Sequence, residues 1–209
     1  CVKRFNELRE ELTEILIAEG GKPRGAASAE VERLINTFQL AADAVTQLDD
    51  GHLLPLAVTA AASRYRGMVK HVPIGAVSLI SPFNFPLNLV AHKIAPAIAA
   101  GCPFVLKPAS LTPISALMIA KVLAETDLPK GSWSVLPCDR QAADSLVTDD
   151  RFKLLSFTGS DQVGWDMKAR AGRKKVTLEL GGNAAVLIDA DTVIDDVLID
   201  RLISAAYGH

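Results

Sequence analysis

From Ala76 onward the sequence keeps one rhythm: a short β-leaning run, a turn, a helical pattern, then the next run. The expected strands are Ala76–Ile80, Pro103–Leu106, Ser132–Leu136, Lys153–Phe157, Val176–Leu180 and Ala184–Ile188. The expected helices between them are Pro86–Ala100, one capped by Thr112 with Pro113 first, a short one near Gln141–Val147, and one after Ser160. A last helix begins near Thr192 and Asp195, at capping-box spacing. Such alternation packs as an α/β fold: an open, mostly parallel, Rossmann-like sheet with helices on both faces. The Pro86 helix should bury Leu87, Val90, Ala91, Ile94 and Ile98, and the Pro113 helix Ile114, Leu117, Met118 and Val122.

Open parallel sheets bind ligands at the carboxyl ends of their strands. Polar segments fall at several such ends: Ser81–Asn84, Lys107–Ser110, Gly159-Ser160 and Glu179-Leu180-Gly181. The last follows an apolar run, VTLELGGN from Val176 to Asn183, in which Glu179 is the lone acid. A carboxylate in a buried strand is costly without a partner or a task. Two readings are open for it: a functional acid at the rim, or an edge-strand carboxylate facing water.

Upstream, Val2, Phe5, Leu8, Leu12, Ile15 and Leu16 keep helical spacing until Gly20-Gly21 and Pro23. A second helix is expected over Ser28–Asp43, with Val31, Leu34, Ile35, Phe38 and Ala42 on one face. Asp49-Asp50-Gly51 reads as a turn, and Arg64–Val72 alternates as an extended arm would. The expected division is a helical part at 1–63, an arm strand at 64–75 and a sheet core at 76–209. The sequence opens at Cys1 rather than Met and closes just past a helical pattern, which leads us to expect a piece of a longer protein.

Composition narrows the function classes. The chain has 209 residues and a net charge of -2, with Lys and Arg scattered, so no nucleic-acid footprint is present. The richest apolar stretch, 87–102, is broken by His92, Lys93 and Pro96, so no membrane partner is expected. The 3 cysteines lack paired spacing, which fits a reducing, cytoplasmic setting. No metal site is expected.

SPFNFP at 81–86, FVLKPAS at 104–110, SFTGS at 156–160 and LELGGN at 178–183 resemble the aldehyde dehydrogenase superfamily, in its order and at fitting distances. The resemblance implies oxidation of a small aldehyde to a carboxylic acid with NAD or NADP, through a cysteine thioester. It makes Asn84 the oxyanion-site amide, Glu179 the base that activates water, and Lys93 a proton-relay lysine. An acid at an apolar strand end could also have the raised pKa that such a base requires. The resemblance assigns Lys107 to the adenine ribose and Gly159-Ser160 to the pyrophosphate, where a helix N-terminus suits an anion. Ile80, Ser81, Phe83, Ser110, Val163, Leu180 and Gly181 complete the expected cofactor contacts. Each residue also has a plain structural reading. Asn84 and Ser160 could be helix caps, Lys93 and Lys107 solvated lysines, and the glycines a tight turn.

The resemblance further implies a homo-dimer or homo-tetramer paired through the arm. The family's nucleophilic cysteine is absent: Cys1 is terminal, Cys102 reads as a buried small residue, and Cys138 has no base beside it in sequence. The isolated chain is therefore expected not to turn over. Two other functions stay open, an acylating relative that uses coenzyme A and a non-catalytic nucleotide-binding module.

Ser110 stands where many NAD-preferring relatives carry Glu. A neutral hydroxyl removes the repulsion an acid would exert on a 2′-phosphate. The complete enzyme is expected to tolerate NADP, with a preference for it left open; steady-state constants for both cofactors check this, and a strong NAD preference would refute it.

Overall fold

The computed structural model describes residues 1–47, 51–56 and 59–207. Its centre is a parallel five-stranded sheet in the order β5-β4-β3-β6-β7. The strands are β3 (Val77–Ile80), β4 (Phe104–Lys107), β5 (Trp133–Val135), β6 (Leu154–Gly159) and β7 (Lys175–Leu180). Ile80 pairs with Lys107 on one side and Phe157 on the other, so the strand ends form one rim. The order reverses between β3 and β6, which opens a crevice at the carboxyl ends there.

Side-chain alternation explains how both faces are covered. Val77, Leu79, Phe104 and Leu106 point into a large core shared with the N-terminal helices. Ile80, Leu155 and Phe157 point into a smaller core on the opposite face. The large core holds α4 (Asn88–Ala99), α5 (Pro113–Ala124) and, behind them, α1 (Val2–Glu7), α2 (Arg9–Gly20) and α3 (Arg24–Val45). The smaller core is closed by α6 (Arg140–Thr148) and α7 (Asp161–Arg170). Gly164 lets α7 lie close to the sheet, because a Cβ there would stand 2.4 Å from a Leu180 methyl.

Several expectations need correcting. The first helix is broken at Leu8, whose ψ of 10° separates α1 from α2. On α3 the buried stripe turns toward Ala41, and Ala42 is exposed. On α5, Ile114 and Leu117 are exposed; the buried face is Ser115, Ala116, Ile119, Val122 and Leu123. Apolar residues surround α5, so spacing alone could not orient it. Ala184–Ile188 forms no strand: Leu187 is 93% exposed, and nothing among the described residues offers it a ladder. The last helix, α8 (Asp196–Tyr207), is capped by Asp195, which accepts from Leu198 N–H at 2.8 Å; Thr192 takes no part.

Within the expected arm lies β2 (Gly67–Val69), which pairs antiparallel with β1 (His52–Leu54), a strand in the part expected to be helical. The turn expected at Asp49-Asp50-Gly51 falls partly outside the described residues. No helix among them is long and apolar enough to cross a membrane.

Thr112 precedes α5 as expected, yet its hydroxyl is buried without a partner among the described residues. The cap comes instead from Glu19 on α2, whose carboxylate accepts from Ile114 N–H, from Ser115 N–H at 3.0 Å and from the Ser115 hydroxyl at 2.6 Å. Glu19→Ala should lower stability by about 1–2 kcal/mol, while Thr112→Ala should change it by less than about 0.5 kcal/mol. Urea midpoints of the two variants check this ordering.

Candidate active site

β3 runs out at Ile80, and Ser81 N–H still bonds Lys107 C=O across the rim at 3.2 Å. The chain then turns through Pro82, Phe83 and Asn84 before α4 begins. Asn84 Oδ1 accepts from Phe85 N–H at 3.2 Å. That bond occupies the amide's acceptor and leaves its NH₂ to donate elsewhere. The first N–H groups of α4 need a partner as well. Glu30 of α3 supplies it: Oε1 accepts from Leu87 N–H at 2.9 Å and from Asn88 N–H at 3.1 Å. Its other oxygen pairs with Lys22.

Across the crevice, Thr158 and Glu179 are paired residues of β6 and β7. Thr158 Oγ1 donates to Glu179 Oε2 at 3.1 Å. Because β7 is the sheet's edge, Leu178 and Leu180 meet the smaller core while Lys175, Thr177 and Glu179 are exposed. Of the two readings left open, the geometry keeps elements of both: Glu179 faces water and also faces the cleft.

One cleft of about 530 Å³ gathers Phe83, Asn84, Gly159, Ser160, Glu179, Leu180 and Gly181. Ser160 begins α7 without a side-chain cap bond. The remaining expected residues lie outside the lining. Ile80 is a core residue, and Val163 packs on the smaller core. Ser81 is buried, its hydroxyl without a partner among the described residues. Lys107 is buried at the end of β4 and donates to Pro108 C=O at 3.0 Å; Ser110 beyond it is exposed. Lys93 is not the solvated helix lysine its plain reading offered. It is buried, and its ammonium donates to Ser156 Oγ at 2.9 Å. Burial pushes its pKa down to about 8, against the opposing pull of Glu179.

The cleft also holds residues the sequence reading passed over. Arg33 of α3 lines it, its guanidinium 5.5 Å from the Phe85 ring centre. His92 lines it too; burial pushes its pKa below 6.5, with Glu179 opposing and Arg33 and Lys93 reinforcing the shift. His92 lies one helical turn beyond Asn88, a spacing that could have flagged it. Glu30 had a clearer signal: a charge on the apolar stripe of Ala27, Val31 and Leu34. Cys102 is buried, Cys138 half-buried, and neither lines the cleft.

The model of the aldehyde dehydrogenase family matches residues 1–209. The chain belongs to the aldehyde dehydrogenase family. It is 39% identical over 188 residues to 3-sulfolactaldehyde dehydrogenase of Priestia aryabhattai, covering 90% of this chain and 39% of that protein. Among solved structures it is similar to aldehyde dehydrogenase 21 from Physcomitrella patens in complex with the reaction product succinate, with 51% identity and a TM-score of 0.94 over 99% of this chain and 43% of that one. It is also similar to glyceraldehyde-3-phosphate dehydrogenase from Methanocaldococcus jannaschii complexed with NADP, with 39% identity and a TM-score of 0.79 over 87% of this chain and 39% of that one. The chain thus spans about two fifths of the length of these family members.

Lys93 gives this site a pH signature. The fold penalises the charged form, so the penalty is complete below pH of about 8 and fades as pH rises toward the unfolded value of 10.5. Stability should therefore rise across that window, and Lys93→Met should remove that part of the rise. Urea midpoints of parent and variant at pH 7, 8.5 and 10 measure the difference; parallel profiles would refute it.

Proposed function

We propose that the enzyme containing this chain oxidises an anionic aldehyde to its carboxylic acid with NAD or NADP, through a cysteine thioester that water hydrolyses. The observation that carries this reading is the meeting of Asn84, Ser160 and Glu179 in one cleft at the strand-order reversal.

The residues present fit a nicotinamide dinucleotide. A Cβ on Gly181 or Gly182 would meet nothing within 4 Å, so open space adjoins Glu179. The Ser81 hydroxyl is buried without a partner among the described residues, and the N-terminus of α7 faces the cleft at Ser160. Lys107 and Ser110 would hold the adenosine end, Gly159 and Ser160 the pyrophosphate, and Ser81, Phe83, Leu180 and Gly181 the nicotinamide end, with Ile80 and Val163 behind them. When bound, the nicotinamide accepts hydride from the substrate carbon.

The chain's own residues do the rest. A thiolate attacking the aldehyde carbon forms a C–S bond and drives negative charge onto the oxygen. The Asn84 amide donates to that oxygen. After the thioester forms, Glu179 takes a proton from water as the water oxygen attacks the carbonyl carbon, and the thiolate leaves. Lys93, bonded to Ser156 and within the field of Glu179, carries protons away. The attacking sulfur is none of Cys1, Cys102 or Cys138, so these 209 residues alone do not turn over.

Arg33 supports the anionic substrate class. It lines the cleft and has no carboxylate partner among the described residues. Sulfolactaldehyde, succinate and glyceraldehyde 3-phosphate, named for three of the relatives, carry an anionic group, whereas lactaldehyde and betaine aldehyde, named for others, do not carry a net negative charge. The reading includes a cytoplasmic homo-dimer or homo-tetramer that pairs through the arm at Arg64–Val72, where Met68 of β2 is exposed.

The test uses the full-length enzyme. Asn84→Ala should lower kcat by about 100- to 1000-fold. Glu179→Gln should release one equivalent of reduced cofactor and then stop. Arg33→Met should raise KM for a carboxylate-bearing aldehyde by about tenfold and leave a neutral aldehyde unchanged. Sustained turnover by Glu179→Gln without coenzyme A would overturn the hydrolytic reading.

A further inference from the structure

The peptide unit joining Asn84 to Phe85 is held at both ends. At its nitrogen end, Phe85 N–H donates to the Asn84 side-chain oxygen at 3.2 Å. At its oxygen end, Asn84 C=O accepts from the Lys22 ammonium at 2.9 Å. The two bonds share one rigid plane. Fixing the carbonyl therefore fixes the direction of the N–H, and the N–H fixes the carboxamide. A charged donor on the carbonyl also polarises the peptide and strengthens its N–H as a donor.

Lys22 is itself well placed to act as a fixed donor. Its side chain is only 15% exposed, and its ammonium stands 4.1 Å from the centre of the Phe85 ring, the next residue. It is paired with Glu30, whose side chain is fully buried and accepts the first N–H groups of α4. One carboxylate thus fixes both the start of the helix that follows Asn84 and the ammonium that holds the preceding carbonyl. Asn84 itself is exposed, and among the described residues its carboxamide makes this one hydrogen bond.

We infer that Lys22, held by Glu30, is a positioning residue that aims the Asn84 carboxamide into the cleft. It acts on the peptide plane and never touches the substrate. The inference rests on the proposed role of Asn84, so it needs one kinetic and one purely geometric test.

In the full-length enzyme, the single-turnover rate of reduced-cofactor formation is compared for the parent, Lys22→Met, Lys22→Arg, Asn84→Ala and the double variant Lys22→Met/Asn84→Ala. Lys22→Met should slow this step by about 10- to 100-fold, the scale of a misplaced catalytic group. The NADP dissociation constant and aldehyde KM should stay within about twofold, since neither contact is altered. Lys22→Arg, which keeps Glu30 paired, should recover most of the rate. In the Asn84→Ala background, Lys22→Met should cost less than about twofold, because its route to the substrate is gone. A full further loss in that background, or an unchanged rate in Lys22→Met alone, would overturn the inference. Crystal structures of the parent and Lys22→Met decide the geometry without activity. The bond from Phe85 N–H to the carboxamide should be lost in the variant. An unmoved carboxamide overturns the inference even if no aldehyde is turned over, whereas a parent enzyme that oxidises no aldehyde overturns the function proposed above.

Discussion

A carboxylate with no exposed side-chain surface, Glu30, ties the helical layer to the sheet's active rim. Burying an unpaired carboxylate is prohibitive, so the fold holds together around the partners it finds. Those partners are two backbone N–H groups at the positive end of α4 and the ammonium of Lys22. The consequence reaches beyond one cap. α3 is locked to α4, and the turn from Ser81 to Phe85 is held between them and β3. The N-terminal helices are therefore part of the site's support. Their core runs without a break from Phe5, Leu12 and Leu34 through Ile94 to Leu106.

The chemistry is confined to one face of the sheet by strand alternation. On β6, Leu155 and Phe157 enter the smaller core, while Ser156 and Thr158 point toward α4. Ser156 receives the bond from Lys93, and Thr158 donates to Glu179 on the next strand. Two hydroxyls thus stand where a fully apolar face would otherwise lie, one bonded to a buried lysine and the other to a cleft carboxylate. Parallel strands buried on both faces rarely carry such residues without partners.

The strand and helix rhythm was legible because turns, glycines and helix-starting prolines punctuate it locally. The rim segments were legible for the same reason, since they sit where strands stop. What stayed hidden was decided by tertiary contact. Glu19 and Glu30 cap helices distant in sequence, so Thr112 looked like a cap and is not one. The face of α5 could not be read because its exposed side is also apolar. Ala184–Ile188 has a strand's composition, yet composition cannot supply a partner ladder. Arg33 and His92 escaped notice because a polar residue that faces a cleft and one that faces water look alike in sequence. Lys93 was located by resemblance, but its burial was visible only in three dimensions.

The sign of the cleft follows from these placements rather than from composition. The chain carries a net charge of -2, yet Glu179 is the one carboxylate in the cleft lining among the described residues. Lys22 does not offset it, because Glu30 already balances that ammonium. Burial lowers the pKa of His92 and so disfavours its charged form. That leaves Arg33 at the lining and Lys93 beneath it. Lys93, lowered to about 8, surrenders its charge as the solution becomes mildly alkaline, whereas a guanidinium does not. Attraction of an anion into this cleft therefore passes from two cations to one as pH rises, and the lasting share belongs to Arg33. A carboxylate-bearing aldehyde would feel that change in its binding, and a neutral aldehyde would not.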